Sequence, residues 1–426
     1  MNGTCHIVGA GLAGLSTAVR LCAAGRKVVV YEGAGQAGGR CRSYYDSRLE
    51  TTIDNGNHLV LSGNRAALSY LDLLGTAKQM LGSPEALFPF VDLKSGERWA
   101  VHPNQGRVPW WIFSPERRIP GTGLSDYLAG VALALAGSDK SVADIVPRNQ
   151  TMIERFWDPF TVAVMNAPME ESSANLLWTV IRETFVRGGA QCVPLFAERG
   201  LGAAFIDPAL KYIRDNGGEV HFNKRLNALQ CDDAVVSALT FRDETLVVEA
   251  EDAVVLAVSP AQLASLLPDL SVPKQMGVIV NAHFVLAEPL DPLPTPPFLG
   301  VLNGASQWIF MRRNIISITI SAAGALGLDN DTEESMLPAL WNEVRIALNM
   351  DKNVEFAAGR IVKEKRATFD QSPAAVQKRP KTVTRFQNLS LAGDVVDTSL
   401  PATIEGAIRS GEMAAGRVLQ TTNQTG

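Results

Sequence analysis

The stretch CHIVGAGLAGLSTAVRLCAAGRKVVVYE, residues 5–32, decides the fold. Its apolar start predicts a buried strand over 5–9, then a glycine turn and a helix from about Leu12 to Ala24. Gly25 stands where a helix C-terminus favours glycine, and KVVVYE (27–32) predicts a second buried strand. Strand, helix and strand in this order make a βαβ start, and hence an α/β fold with a parallel sheet. Gly9, Gly11 and Gly14 fall in the pattern GxGxxG. The first glycine permits the tight turn, the second lets a pyrophosphate approach the backbone, and the third lets helix and strand pack closely. Phosphate then meets the N–H groups at the helix start, around Leu12 and Ala13. Glu32, at the end of the second strand, is the acid that a ribose 2′-hydroxyl calls for. The stretch therefore predicts a dinucleotide cofactor.

A second match to the pattern, GAGQAG (33–38), has no amphipathic helix after it and reads as a decoy, leaving one nucleotide site. The chain has 426 residues, enough for two or three domains, and a net charge of -5, which gives no footprint for nucleic acid. Five cysteines without a CxxC pair predict reduced thiols and a cytoplasmic chain. The histidines fall at no zinc-ligand spacing, so no metal is expected. The longest apolar candidate for a membrane span, YLAGVALALAG (127–137), is too short to cross a bilayer. The basic clusters KEKR (363–366) and QKRPK (377–381) read as solvated faces, with contact to anionic lipid as the alternative.

From about 66 to 215 the pattern is mostly helical, and strand signals return from GGEVHF onward. QWIFMRRNIISITISA predicts a hairpin turning at Arg313-Asn314. Near the end, NLSLAGDVVDTSLPATIEGAIRSG (388–411) reads as a strand, a Gly393-Asp394 pair, a loop and a helix from near Ala402. Gly38-Gly39-Arg40 reads as a flexible turn aiming a guanidinium at phosphate. Together with Glu32, this turn resembles the start of the flavin monooxygenase and amine oxidase superfamily, which implies FAD. In that superfamily the late Gly-Asp pair meets the ribityl and pyrophosphate region, a role that falls here to Asp394. The following helix start, at Thr403 and Ile404, would face the isoalloxazine ring, where its N–H groups and partial positive charge suit a reduced flavin. Leu226, in GGEVHFNKRLNAL, falls where the superfamily's backbone meets adenine, and an ordinary sheet strand is the competing reading there.

Within the superfamily the chain resembles the hydroxysqualene dehydroxylases of bacterial hopanoid synthesis over nearly its whole length. The resemblance rests on IDNGNHLVLSG (53–63), FWDPFTVAVMNAPMEESSANLLWTVIRETF (156–185) and EKRATFDQSP (364–373). The family pattern usually has Gln at the position of Asn57 and Trp at that of Val395; the second change removes an aromatic expected near the flavin. The resemblance implies a Rossmann-type, glutathione reductase-like FAD domain with a discontinuous α+β substrate domain. Its segments would be 1–65, 196–265 and 385–426 for FAD, and 66–195 and 266–384 for substrate. The implied reaction replaces the hydroxyl of hydroxysqualene, a C30 isoprenoid alcohol, with hydrogen, and the electron donor stays open. His58 is the catalytic candidate for proton donation and Asp54 for orienting a neighbour, with a backbone-bonded histidine and a turn cap as competing readings. VPWWIFS (108–114) and residues 127–137 would form a membrane-facing mouth or pack between helices; the first reading makes the protein peripheral on the inner membrane. Rival readings on this fold are a carotenoid-precursor desaturase, a flavin amine oxidase, and a non-enzymatic isoprenoid carrier.

Overall fold

A computed structural model describes residues 3–146 and 149–424. The opening stretch folds as its pattern predicts: strands Thr4–Val8 and Lys27–Tyr31 flank the helix Leu12–Ala23. They belong to a five-stranded parallel sheet ordered Glu219–His221, Lys27–Tyr31, Thr4–Val8, Ala253–Leu256, Leu389–Leu391. Both faces of its central strands are covered, which is why Lys27–Tyr31 and Ala253–Leu256 read as apolar runs. Ile7, Val28 and Val30 pack against the first and last helices, while Val8, Val29 and Tyr31 pack into a second core with Leu239, Phe241 and Leu263.

The first helix and the last, Ile404–Gln424, lie against each other with almost no space between their backbones. Gly411 makes this possible, since a Cβ there would stand 2.3 Å from the Ala13 carbonyl oxygen. Ser16 Oγ donates to the Ile408 carbonyl and Thr17 Oγ1 to the Gly411 carbonyl, so the crossing is pinned by hydrogen bonds as well. The helix Arg65–Leu74 belongs to this layer too, with Ala66, Ala67, Tyr70 and Leu71 in the same core. It lies beyond residue 65, where the sequence reading ends the first FAD segment. Its apolar face, not its place in the chain, decides where it packs.

A second sheet has seven strands, ordered Phe356–Glu364, Ile279–Leu286, Ile315–Ile320, Trp308–Arg312, Phe298–Leu302, Phe88–Asp92, Arg98–Val101. The hairpin of residues 308–320 turns at Arg313-Asn314, as predicted. One face carries Val280, Ala282, Phe284, Ile316, Ile318 and Ile361 onto the helix Glu333–Ala347. The strand period of two sends Ile279, Asn281, Trp308, Phe310, Thr319 and Glu364 to the other face. That second face is too polar to be a core, and it becomes a cavity wall.

The helix crossing predicts a contrast between two glycines of the last helix. Gly411→Val should lower the denaturant midpoint by an amount equivalent to about 1–3 kcal/mol through overpacking. Gly416→Ala, where an added Cβ meets nothing within 4 Å, should leave it unchanged or raise it slightly.

Candidate functional site

Two cavities meet at the centre of the molecule. The larger, about 760 Å³, runs beneath the first glycine turn. The three glycines differ there as their assigned tasks require. Gly9 has φ +106°, and a Cβ would strike the Ala257 carbonyl oxygen at 2.3 Å. A Cβ on Gly11 would meet nothing within 4 Å, because Gly11 faces the open cavity. Gly14 is not on the cavity wall; its Cβ would strike the Gly9 carbonyl oxygen and stand 3.3 Å from the Ala257 Cβ, where the helix packs on the turn and the sheet. A glycine kept where there is room for a side chain is a cradle that a side chain would fill, and this fits a pyrophosphate.

The remaining nucleotide candidates lie on the same wall: Leu12, Ala13, Glu32, Gly38, Gly39, Arg40, Leu226, Gly393, Asp394, Ala402, Thr403 and Ile404. The starts of the first and last helices thus border one space, although 392 residues of chain separate them (404 − 12). N–H groups in a first helical turn have no intrahelical partner, so both helix starts can donate into it. Ala402 is an exception, since its N–H is taken by Gln371 Oε1 at 2.8 Å. Glu32 accepts from the Ala10 and Ala34 N–H groups, each at 2.8 Å, which fixes its carboxylate at the cavity edge. Lys224, Arg225, Gln262 and Arg366 also line the cavity and went unrecognised, Arg366 because its cluster KEKR reads as a solvated face.

Arg40 does not stand alone facing phosphate. Its guanidinium grips the Asp394 carboxylate in two hydrogen bonds, of 2.8 and 2.6 Å, and donates to the Ala367 carbonyl at 2.7 Å. Burial would push the Asp394 carboxyl up, but Arg40 outweighs it and holds the group below the usual carboxylate range. The loop after Asp394 is held by Arg379, which is 7% exposed and whose guanidinium donates to the carbonyls of Asp394, Val395, Val396 and Leu400. Burial lowers the Arg379 pKa to about 10. The reading of the QKRPK cluster as solvated is therefore corrected at Arg379. In KEKR, Lys363 Nζ likewise donates to the carbonyls of Leu328, Asp329 and Asp331.

The smaller cavity, about 290 Å³, has aromatic walls: Phe88, Phe90, Phe156, Phe160, Phe185, Trp308 and Phe310. A polar strip crosses it. Asn57 Nδ2 donates to Thr319 Oγ1, Thr319 Oγ1 to Asn281 Oδ1, and Asn281 Nδ2 to the Asn55 carbonyl. Arg40, His58, Glu364, Ala367, Ala402, Thr403 and Ile404 line both cavities and so mark their junction. Val395 lines neither and is fully buried.

The two catalytic candidates part company. His58 stands at the junction, its Nδ1 3.1 Å from the Gly56 carbonyl, which makes Nδ1 the donor and leaves Nε2 as acceptor. Asp54 lines neither cavity. It is 1% exposed and accepts from Ser43 Oγ, the Leu201 N–H and Arg312 at 2.6 Å, so it is a buried strut. Among the described residues no group of His, Cys, Asp and Glu could hold a metal ion.

An apolar patch lies outside the aromatic cavity. Trp110, Phe113, Leu128 and Leu135 are 59%, 64%, 66% and 84% exposed, and Val108, Leu124 and Val131 accompany them. Trp111 stacks edge-on against Tyr127 at 5.3 Å, which ties the two segments together and to the core behind the cavity. Arg107 is exposed and Arg117 and Arg118 are half-buried in the same segment. Both sequence stretches proposed as a mouth thus reach solvent.

The profile of the family described as flavin containing amine oxidoreductase matches residues 12–419. A hydroxysqualene dehydroxylase of Sinorhizobium fredii is 43% identical over 98% of this chain and 99% of its own. One of Zymomonas mobilis is 40% identical over 97% and 98%. Among solved structures, cyclohexylamine oxidase of Brevibacterium oxydans superposes with a TM-score of 0.73 over 98% of each chain, at 15% identity, and supports the fold.

Two measurements check this geometry. Arg40→Met leaves the Asp394 carboxylate buried without its partner, which should cost about 3 kcal/mol or more and reduce FAD content on purification. The double variant with Asp394→Leu should be more stable than Arg40→Met alone, as a double-mutant cycle in denaturant would show. Burial lowers the His58 pKa from its ordinary 6.5, so the ring should stay neutral at pH 7 and titrate only below 6.5 by NMR. The folded value lies below the unfolded one, so this group's contribution to stability is complete above 6.5 and is lost as pH falls through the folded value.

Proposed function

The chain belongs to the hydroxysqualene dehydroxylases, within the flavin containing amine oxidoreductases, and on that premise we propose how its own residues serve the reaction. It is an FAD-dependent oxidoreductase that replaces the hydroxyl of hydroxysqualene with hydrogen to give squalene. FAD, reduced, supplies the hydride. The residues of the larger cavity fit this cofactor: Gly9, Gly11, Leu12 and Ala13 hold the diphosphate, Glu32 a ribose, and Leu226 borders the adenine. Gly38, Gly39, Arg40, Gly393 and Asp394 close over the middle of the molecule. The N–H groups of Thr403 and Ile404, with Ala402 beside them, favour negative charge at the ring end. Gly14 serves at one remove, by letting the first helix approach the sheet.

The observation that carries this reading is the junction itself. Seven residues are shared between a polar cavity of dinucleotide size and an apolar one lined by aromatic rings. The part of the isoprenoid chain that carries the hydroxyl lies against the rings and excludes water, while the strip of Asn57, Thr319 and Asn281 gives that hydroxyl a hydrogen-bonding place in an otherwise dry wall. We assign residues 1–65, 196–265 and 385–426 to FAD and 66–195 and 266–384 to substrate, with the helix Arg65–Leu74 moved to the FAD side. The test is anaerobic. Photoreduced protein given hydroxysqualene should reoxidise and yield squalene in equal amount. Reoxidation by a carotenoid precursor with no response to the alcohol would transfer the assignment to a desaturase, and failure to take up FAD would favour a carrier.

The exposed apolar patch is the mouth through which a lipid-dissolved substrate enters, resting on the membrane with Arg107, Arg117 and Arg118 near anionic headgroups. No helix among the described residues is long and apolar enough to cross a membrane. The protein should therefore co-sediment with phosphatidylglycerol vesicles at low salt. Replacing Trp110, Phe113 and Leu128 with Ser should abolish this while activity on detergent-dispersed substrate persists; unchanged sedimentation would contradict the mouth.

A further inference from the structure

We propose that Glu364 is the catalytic acid that protonates the departing hydroxyl, an inference that rests on the dehydroxylase reading above. The reaction must break a C–O bond whose leaving group, hydroxide, is poor until protonated. The donor must reach both the substrate and the place where hydride is delivered, which confines it to the junction of the two cavities. Of the junction residues, Arg40, His58 and Glu364 carry titratable side chains. Arg40 keeps its proton and is committed to Asp394. His58 turns its Nδ1–H to the Gly56 carbonyl, and burial lowers its pKa, which disfavours the imidazolium that a donor would need.

The other acids of the apolar cavity are occupied. Glu183 accepts two hydrogen bonds from Arg409, of 3.0 and 2.6 Å. Glu405 accepts from the N–H groups of Ala66 and Ala67 and from Arg409. Glu364 differs. Its side chain forms no salt bridge among the described residues, and its hydrogen bonds come from Asn55 Nδ2 at 3.2 Å and the Arg366 N–H at 3.4 Å. It sits at the end of the strand Phe356–Glu364, directly across from Ile279 and on the sheet face that carries Asn281 and Thr319. Asn55 therefore orients the carboxyl and joins it to the polar strip, since the Asn55 carbonyl accepts from Asn281.

When both cavities fill, the Glu364 carboxyl borders the substrate and the cofactor site at once. The Glu364 carboxyl proton passes to the hydroxyl oxygen, the C–O bond breaks with its electron pair leaving as water, and an allylic cation remains. Bound reduced FAD would supply the hydride for the new C–H bond, and the Glu364 carboxylate regains its proton from solvent once product departs. The sum is one proton and one hydride consumed per alcohol, with one water released.

The test compares the FAD-loaded protein with Glu364→Gln, which keeps the size and the acceptor for Asn55. The expected result is a kcat about 100-fold lower or less, little change in KM, and an FAD content and visible spectrum like the parent's. The variant should recover turnover on the corresponding allylic fluoride, whose leaving group has less need of a proton, and Glu364→Asp should keep part of the activity on the alcohol. A readout independent of turnover is infrared difference spectroscopy on adding squalene to the oxidised holoprotein: a protonated-carboxyl C=O band should appear in the parent and be missing from Glu364→Gln. A Glu364→Gln variant within threefold of the parent, or one that fails only because it loses FAD, overturns the proposal. If the parent itself does not act on hydroxysqualene, the dehydroxylase reading fails instead, and the two failures are distinguishable.

Discussion

The ion pair between Arg40 and Asp394 spans 354 residues of chain and sits where the first and last segments face each other across the larger cavity. Two parallel hydrogen bonds fix direction as well as distance, which a single contact from a lysine would not do. Because Asp394 is 5% exposed, its charge depends on Arg40, and the loop behind it depends on Arg379. The position of the last helix start, and so of the ring end of the cofactor site, follows from these two arginines and from the close crossing at Gly411.

Around that fixed point the two sheets divide the work. The parallel sheet is buried on both faces and serves as scaffold, presenting helix starts and turns at its edge. The seven-stranded sheet packs one face on a helix and lines a cavity with the other. Its other face grades from aromatic rings at Trp308 and Phe310 to the hydrogen-bonded strip at Thr319 and Asn281, and then to Glu364 at the junction. An apolar substrate with one polar group requires such a wall: water is excluded along most of its length and one position is left where oxygen can be held.

What the sequence made legible follows from the range of each cause. The nucleotide turn could be read because its glycines answer to local constraints, a positive φ at Gly9 and a close approach at Gly14, that leave a mark at fixed spacing. The hairpin at Arg313-Asn314 was equally local. Arg379 was misread because its cluster looks like surface, and only the folded loop of residues 394–400 gives its guanidinium four carbonyls to meet. Asp54 lies four residues from His58, yet strand pairing turns it toward Arg312, away from the cavities. Glu364 stood in a recognised motif, but its role depends on which sheet face the register assigns it, and that register is set by a strand more than seventy residues away.

The central claim is that one FAD is held at its diphosphate by the first helix start and at its ring by the last. Amide hydrogen exchange of the apo and FAD-loaded protein tests it most directly. The account predicts that FAD slows exchange in both residues 9–13 and residues 402–405, in proportion to occupancy. Protection confined to one of these segments, or absent from both, would contradict it.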